Sequence, residues 1–246
     1  EHPSRYAGEI ARRHRWMRGD WQIAAWLLPR VRGRSGQRVR NPISALSRWK
    51  IVDNLRRSLV PVAMLLVLLI SWFVSPAVAG ASLIFLASVV LLPALFAAAA
   101  DLFHKPVDLP LRMHLRVTLQ SLGRPLAHSV LWFVFLPYEA YISADAITRT
   151  LLRVGWTKRR LLEWKTASDS ERGADGSLKD TVRSLAIAPA LAAAAWLVLA
   201  VYHREVLPFA GPWIAAWMAS PLVAWWLSQP IPRPVPRLSE SQHHFL

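Results

Sequence analysis

The sequence predicts an all-α integral membrane chain: an amphipathic interface helix followed by two transmembrane helical hairpins with an interfacial segment between them. Three observations carry that expectation. The 246 residues are 54% hydrophobic yet bear a formal net charge of +15, a pairing that soluble domains rarely combine. Four apolar runs without a charged residue are each about long enough to cross a hydrocarbon core of roughly 30 Å. The basic residues sit mostly beside those runs, where the positive-inside rule expects them, and not in an arm or stripe that would track nucleic acid. Membrane lipid is therefore the expected partner, and nucleic acid is not. There is no cysteine, so neither a disulfide framework nor a thiolate metal site is available. The histidines show no metal-ligand spacing, and His243 and His244 fall in a polar tail.

The first element spans residues 9–28. Ile10, His14, Met17, Trp21, Ala24 and Leu28 recur at helical spacing and give one mostly apolar face. Arg12, Arg15, Trp16 and Gly19 lie on another. Arg12 and Arg15 are neighbours at i,i+3 and Trp16 is one turn from Arg12, so two guanidiniums and an indole plane converge. Guanidinium forks match phosphate oxygens, and an indole face suits the C–H side of a pyranose ring. An interfacial anchor, with arginine on lipid phosphate and tryptophan in the headgroup layer, uses the same residues. The residues alone leave both readings open.

The next stretch, "SRWKIVDNLRRSL", reads as structural: Trp49 in the headgroup layer, Arg56 and Arg57 as inside flanks, and Asp53 paired with Arg57 at i,i+4. Residues 59–75 and 77–100 then form the first hairpin, turning at Pro76. Arg56 and Arg57 precede it and Lys105 and Arg112 follow, which places both outer ends in the cytoplasm. Residues 126–147 begin apolar but carry Glu139 and Asp145 between basic flanks, and are expected to lie in the interface or to re-enter. Were they to cross, the second hairpin would invert. Residues 149–164 read as a basic amphipathic helix that decays into a polar loop, with "RRLLEWKTAS" structural. Residues 184–202 and 206–228, joined by "HRE", form the second hairpin; Arg183 before it and Arg233 and Arg237 after it again put both ends inside. Prolines at 230, 232, 234 and 236 give linker composition with a polyproline II bias. With no initiator Met at one end and this linker at the other, the sequence reads as a piece of a longer protein.

"RRHRW" fits the (Q/R)xxRW signature of membrane-bound processive family 2-like glycosyltransferases, with Arg12, Arg15 and Trp16 in the signature positions. In a wider frame, "HRWMRGDWQI", "SRWKIVDNLRRSLVP", "RRLLEWKTAS", a membrane hairpin and a proline-rich exit resemble, in that order, the middle of bacterial cyclic β-1,2-glucan synthases. The resemblance runs over nearly the whole chain. It implies a multi-pass protein of the bacterial inner membrane that transfers glucose from UDP-glucose, with inversion, onto a growing β-1,2-glucan. On that pattern residues 1–57 are the last strip of the glycosyltransferase domain with its interface helices, 58–101 the first hairpin, and 102–182 a cytoplasmic or interfacial basic segment. Residues 183–228 are the second hairpin and 229–246 the linker to a C-terminal phosphorylase-like domain.

The resemblance further implies that Arg12 and Arg15 contact the UDP diphosphate or position the acceptor and that Trp16 lines the acceptor site. Arg18, Asp20 and Trp21 join the substrate-binding set through the extended "RWMRGDWQ" match; Asp20 either accepts a sugar hydroxyl or pairs with Arg18. A divalent metal, Mg or Mn, is expected on a DxD motif upstream, as is the catalytic-base aspartate. No catalytic residue is expected within this sequence, which should be inactive by itself. Two other readings share the features: a non-catalytic membrane anchor or scaffold, and part of a cellulose-synthase-like enzyme.

Overall fold

The computed structural model describes residues 5–33, 36–104, 110–159 and 177–230. Among them the chain is all-α apart from one β-ribbon. Helix α1 covers Tyr6–Gln22 and passes into a 3-10 turn at Ala24–Leu27. Strands β1 (Arg30–Arg32) and β2 (Arg38–Arg40) pair antiparallel. Then come α2 (Ala45–Trp72), α3 (Pro76–Phe103) and α4 (Leu111–Leu152). After a π turn at Arg153–Thr157, α5 (Leu178–Ser184), α6 (Ile187–Tyr202) and α7 (Leu207–Leu227) complete the chain.

Local chemistry sets the helix starts. Ser44 caps α2 by accepting from the Ser47 amide at 3.1 Å, Ser75 caps α3 from the Val78 amide at 3.2 Å with Pro76 at its first turn, and Ser177 caps α5 from the Asp180 amide at 3.2 Å. Each satisfies an amide that a helix end leaves without a partner. Helix α1 has no local cap; its Tyr6 amide donates instead to the Ser228 hydroxyl at the end of α7, at 3.2 Å. The first turn of α1 is thus closed by the opposite end of the described chain.

Four helices are long and apolar enough to cross a membrane: α2, α3, α4 with its π turn, and α7 with the turn before it; α5 and α6 qualify only together, across a 61° bend. This is a multi-pass membrane protein: the apolar runs expected at 59–75, 77–100 and 206–228 fall in α2, α3 and α7, and that at 184–202 in the bent α5–α6 pair. Residues 126–147, placed in the interface by their charges, belong to the 42-residue α4, and its second half is the densest stretch of buried residues among those described. The reason is pairing: Glu139 and Asp145 find partners on α1 (below), so neither enters the bundle as a bare charge. The expected pairing of Asp53 is present, with Arg57 at 2.6 Å and also Arg56 at 2.8 Å. The "RRLLEWKTAS" segment beyond Arg159 and the tail 231–246 lie outside the described residues; the amphipathic stretch up to 159 ends α4 and turns at Lys158, φ 50°.

One apolar core joins Met64, Leu68 and Trp72 of α2 to Ala79 and Leu86 of α3, Phe133 and Leu136 of α4, and Ile214 and Trp217 of α7. The hydroxyls of Ser71 and Ser82 meet at 2.7 Å and tie α2 to α3, while Trp72 and Trp217 pack at 5.5 Å between ring centroids. A second cluster gathers Ile10, Phe135, Tyr138, Leu185, Ala188 and Ala224. These contacts give the bundle two ends. At one end α1 meets the beginning of α2, the second half of α4, the α5–α6 junction and the end of α7. At the other, Phe73 packs edge-on against His203 and Gly80 faces Phe209.

One proline inside α4 and one inside α7 are answered by side chains. Pro137 has no amide to give the Phe133 carbonyl four residues back, and the Trp217 indole N–H donates to that carbonyl at 3.1 Å. Pro221 likewise leaves the Trp217 carbonyl, which accepts from the Ser220 hydroxyl at 2.8 Å. Neighbouring side chains that re-satisfy such groups are what allow proline in buried apolar helices.

Candidate functional site

Helix α1 lies across α2 and α4 and is fixed by polar contacts along its length. Tyr6 donates to Glu139 at 3.0 Å and stacks on Phe135 at 4.4 Å. Arg13 pairs with the same Glu139 carboxylate. His14 meets Asp145 at 3.0 Å, and Asp145 also accepts from Arg149 at 2.6 Å. The Ser143 hydroxyl contacts the Met17 sulfur at 3.5 Å. Trp21 donates to Ser58 at 2.8 Å, and Asp20 accepts from the Asn54 amide at 3.0 Å. The apolar face read from periodicity is therefore the docking face: Ile10 is buried, and His14, Met17 and Trp21 bind α4 or α2. Leu28 leaves the pattern and is exposed, because the α-helix ends at Gln22.

The remaining predicted site residues occupy three settings. The Arg12 guanidinium sits over the Trp16 ring at 4.8 Å and pairs with Glu9 at 2.5 Å; Trp16 is 60% exposed. Trp16 and Asp20 line a cavity of about 360 Å³ between α1, α2 and α4, together with Arg13, Asn54, Arg57 and Glu139. Arg15 and Arg18 line a second cavity, of about 450 Å³, on the other flank of α1 with His14, Tyr138, Asp145 and Arg149. Arg12 and Trp16 thus come together as expected, whereas Arg15 turns to the opposite side. Trp21 serves the joint with α2 through Ser58.

Burial sets the electrostatics of α1. It raises the Tyr6 phenol well above its ordinary range, with the adjacent Glu139 carboxylate pushing the same way. It lowers His14, partly offset by the bond to Asp145. It raises Asp20, partly offset by the Asn54 amide and Arg57. Asp20 shares its cavity with the Trp16 ring and the guanidiniums of Arg13 and Arg57. Among the described residues no three His, Asp or Glu side chains converge on a metal position.

Sequence reasoning missed Glu139, Arg13 and Asn54 as parts of this region. The available signal was the pair Glu139 and Asp145, six residues apart in an apolar segment; buried carboxylates need partners, and α1 holds the nearest surplus of cations.

No known family profile matches the chain. It is similar to the cyclic beta-(1,2)-glucan synthase NdvB of Rhizobium meliloti, 37% identical over 231 residues. The match covers 92% of this chain and spans only 8% of that protein's length.

Proposed function

We propose, for a chain that is a relative of one segment of a cyclic β-(1,2)-glucan synthase, that it is the membrane portion of such an enzyme and completes the acceptor and diphosphate side of its transferase site. The carrying observation is the division of labour on α1. One face is pinned to α2 and α4 by Tyr6, Arg13, His14 and Trp21, and on another the exposed Trp16 ring lies under the half-buried Arg12 guanidinium. In the full-length protein an acceptor hydroxyl would attack C1 of the glucosyl group. The new C1–O bond forms as the bond to the diphosphate breaks, with inversion, and the hydroxyl proton passes to a base outside this chain.

Arginines placed beside the diphosphate would stabilise the charge on the departing UDP. Trp16 would offer its plane to the acceptor ring, and Asp20 a polar contact to a sugar hydroxyl. A Mg or Mn ion in the full-length enzyme would be held by a DxD motif upstream of this segment. The membrane bundle would anchor this edge of the catalytic unit in the inner membrane with both ends cytoplasmic, and a phosphorylase-like domain would follow the proline-rich linker.

One observation favours a second, non-catalytic reading. Arg12 already has both a carboxylate and an aromatic partner within α1, as a helix serving only as an anchor would. Replacing Trp16 or Arg15 by Ala in the full-length protein and measuring glucose incorporation from UDP-glucose in membranes separates the two. The transferase reading expects a fall of at least about tenfold with normal insertion; incorporation near the wild-type level would assign α1 to anchoring alone.

A further inference from the structure

Between Asp20 and Asp53 the sequence has seven basic residues and no acidic one, and the structure organises four of them. In the β-ribbon Arg30 stands opposite Arg40, Arg32 opposite Arg38, and Val31 opposite Val39. Side chains alternate across a strand, so four guanidiniums share one face and two valines the other. Val31 is buried while all four arginines are exposed. Like charges directly opposite each other weaken a two-stranded ladder. No hydrogen bond or ion pair among the described residues engages these four side chains.

The ribbon is nonetheless firmly held. Gly33 donates to the Gln37 carbonyl at 2.8 Å, and Gly36 takes the positive φ of 79° that the turn requires. Buried Asn41 then ties the ribbon to the preceding 3-10 turn, donating to the carbonyls of Trp26 at 2.6 Å and Leu28 at 2.9 Å. Between turn and ribbon lies a cavity of about 340 Å³ whose wall is Ala25, Trp26, Leu28 and Val31 and whose rim is Arg30, Arg32 and Arg38. The unfavourable charge placement is therefore rigidly presented, above an apolar floor.

We propose that this arginine ribbon docks anionic phospholipid. The headgroup phosphates lie between the paired guanidiniums, whose planar forks match phosphate oxygens, and the glycerol and upper acyl chain rest on Trp26 and Leu28. Charge complementarity and position select a lipid surface. Among the described residues its lining holds no carboxylate to orient a sugar or ribose, its floor is apolar, and the next element, α2, is long and apolar enough to cross a membrane. The four-arginine face relieves its mutual repulsion by neutralisation when lipid is bound, without any bond being made or broken. This assignment rests on membrane embedding and stands whether or not α1 serves a transferase site.

The test uses the full-length protein in nanodiscs of phosphatidylcholine and phosphatidylglycerol in equal amounts, with a benzophenone amino acid at exposed Gln37. Photo-crosslinked lipid is counted by mass spectrometry. Crosslinks should favour phosphatidylglycerol by at least about fivefold, the effect of one arginine near an anionic surface. The preference should fall to parity in R30Q/R32Q/R38Q/R40Q, persist in the matching quadruple lysine variant, and shrink with added salt. Parity in the unaltered ribbon would overturn the proposal with no variant needed. So would a glutamine variant, inserted normally, that keeps the full preference, and so would displacement of the lipid by free UDP, which would make the ribbon a nucleotide site.

Discussion

Glu139 sits at the meeting point of α1 and α4 with Tyr6 and Arg13 as its partners, and its side chain is only 8% exposed. Removing one member of a buried pair costs more than the pair is worth, because the other charge is left desolvated. Arg13→Ala should therefore lower stability by about 3 kcal/mol, measured as loss of thermal stability in detergent, and Arg13→Met combined with Glu139→Gln should restore much of it. If the double variant is as damaged as the single one, the pair does more than neutralise charge. Asp20 tests the opposite case. Burial raises its folded-state pKa above the unfolded one, so it favours the fold only at acid pH, and that contribution is lost as pH rises through the folded value. Asp20→Asn, able to keep the Asn54 contact, should melt higher than wild type at pH 7, with the gap closing below about pH 4. A neutral-pH loss of stability would show that the carboxylate is structurally required. At this scale the docking face of α1 was legible, since Ile10, Met17 and Trp21 follow periodicity. The direction of Arg15 was not: which flank of a helix a guanidinium takes depends on where α4 lies.

The helices themselves were foreseen where apolar runs were long: α2, α3 and α7 fall where composition placed them. Helix α4 is less legible, because Glu139 and Asp145 read as isolated charges in sequence while their partners lie over 120 residues away and leave no local trace. Its proline was equally silent. The Trp217 indole satisfies the Phe133 carbonyl that Pro137 leaves open, so these three residues should behave as a unit. Trp217→Phe keeps the packing and removes the donor, and should cost about 1–3 kcal/mol. Pro137→Ala supplies a backbone amide, so in its presence the same Trp217→Phe substitution should cost distinctly less. A double-mutant cycle in thermal unfolding measures this coupling; a coupling energy of zero would mean that the carbonyl is satisfied some other way.

At the scale of the whole molecule, the beginning of α2, the end of α4, the start of α6 and the end of α7 gather at the end occupied by α1, and the α6–α7 turn lies at the other. The two ends of the described chain meet at the same end of the bundle, where the Tyr6 amide donates to Ser228. The sequence contains no cysteine, which makes a labelling test clean in a full-length protein cleared of others. Single cysteines at Trp49, Trp156 and Gln229 should react with an impermeant maleimide from one side, and one at Glu205 from the other. Equal reactivity of positions 156 and 205 from the same side would refute this arrangement.

The Trp217 bond also has a consequence in time. A ribosome completes the chain from its first residue onward, so the Phe133 carbonyl leaves the exit tunnel 84 residues before the indole that will cover it. For that interval α4 carries an open polar notch that must stay wet or be sheltered by an insertase. Nascent chains halted before Leu207 should therefore hold α4 loosely and expose it to proteolysis, and chains extended through α7 should lock it. Helix α7, synthesised after α4, decides when α4 becomes a finished part of the membrane.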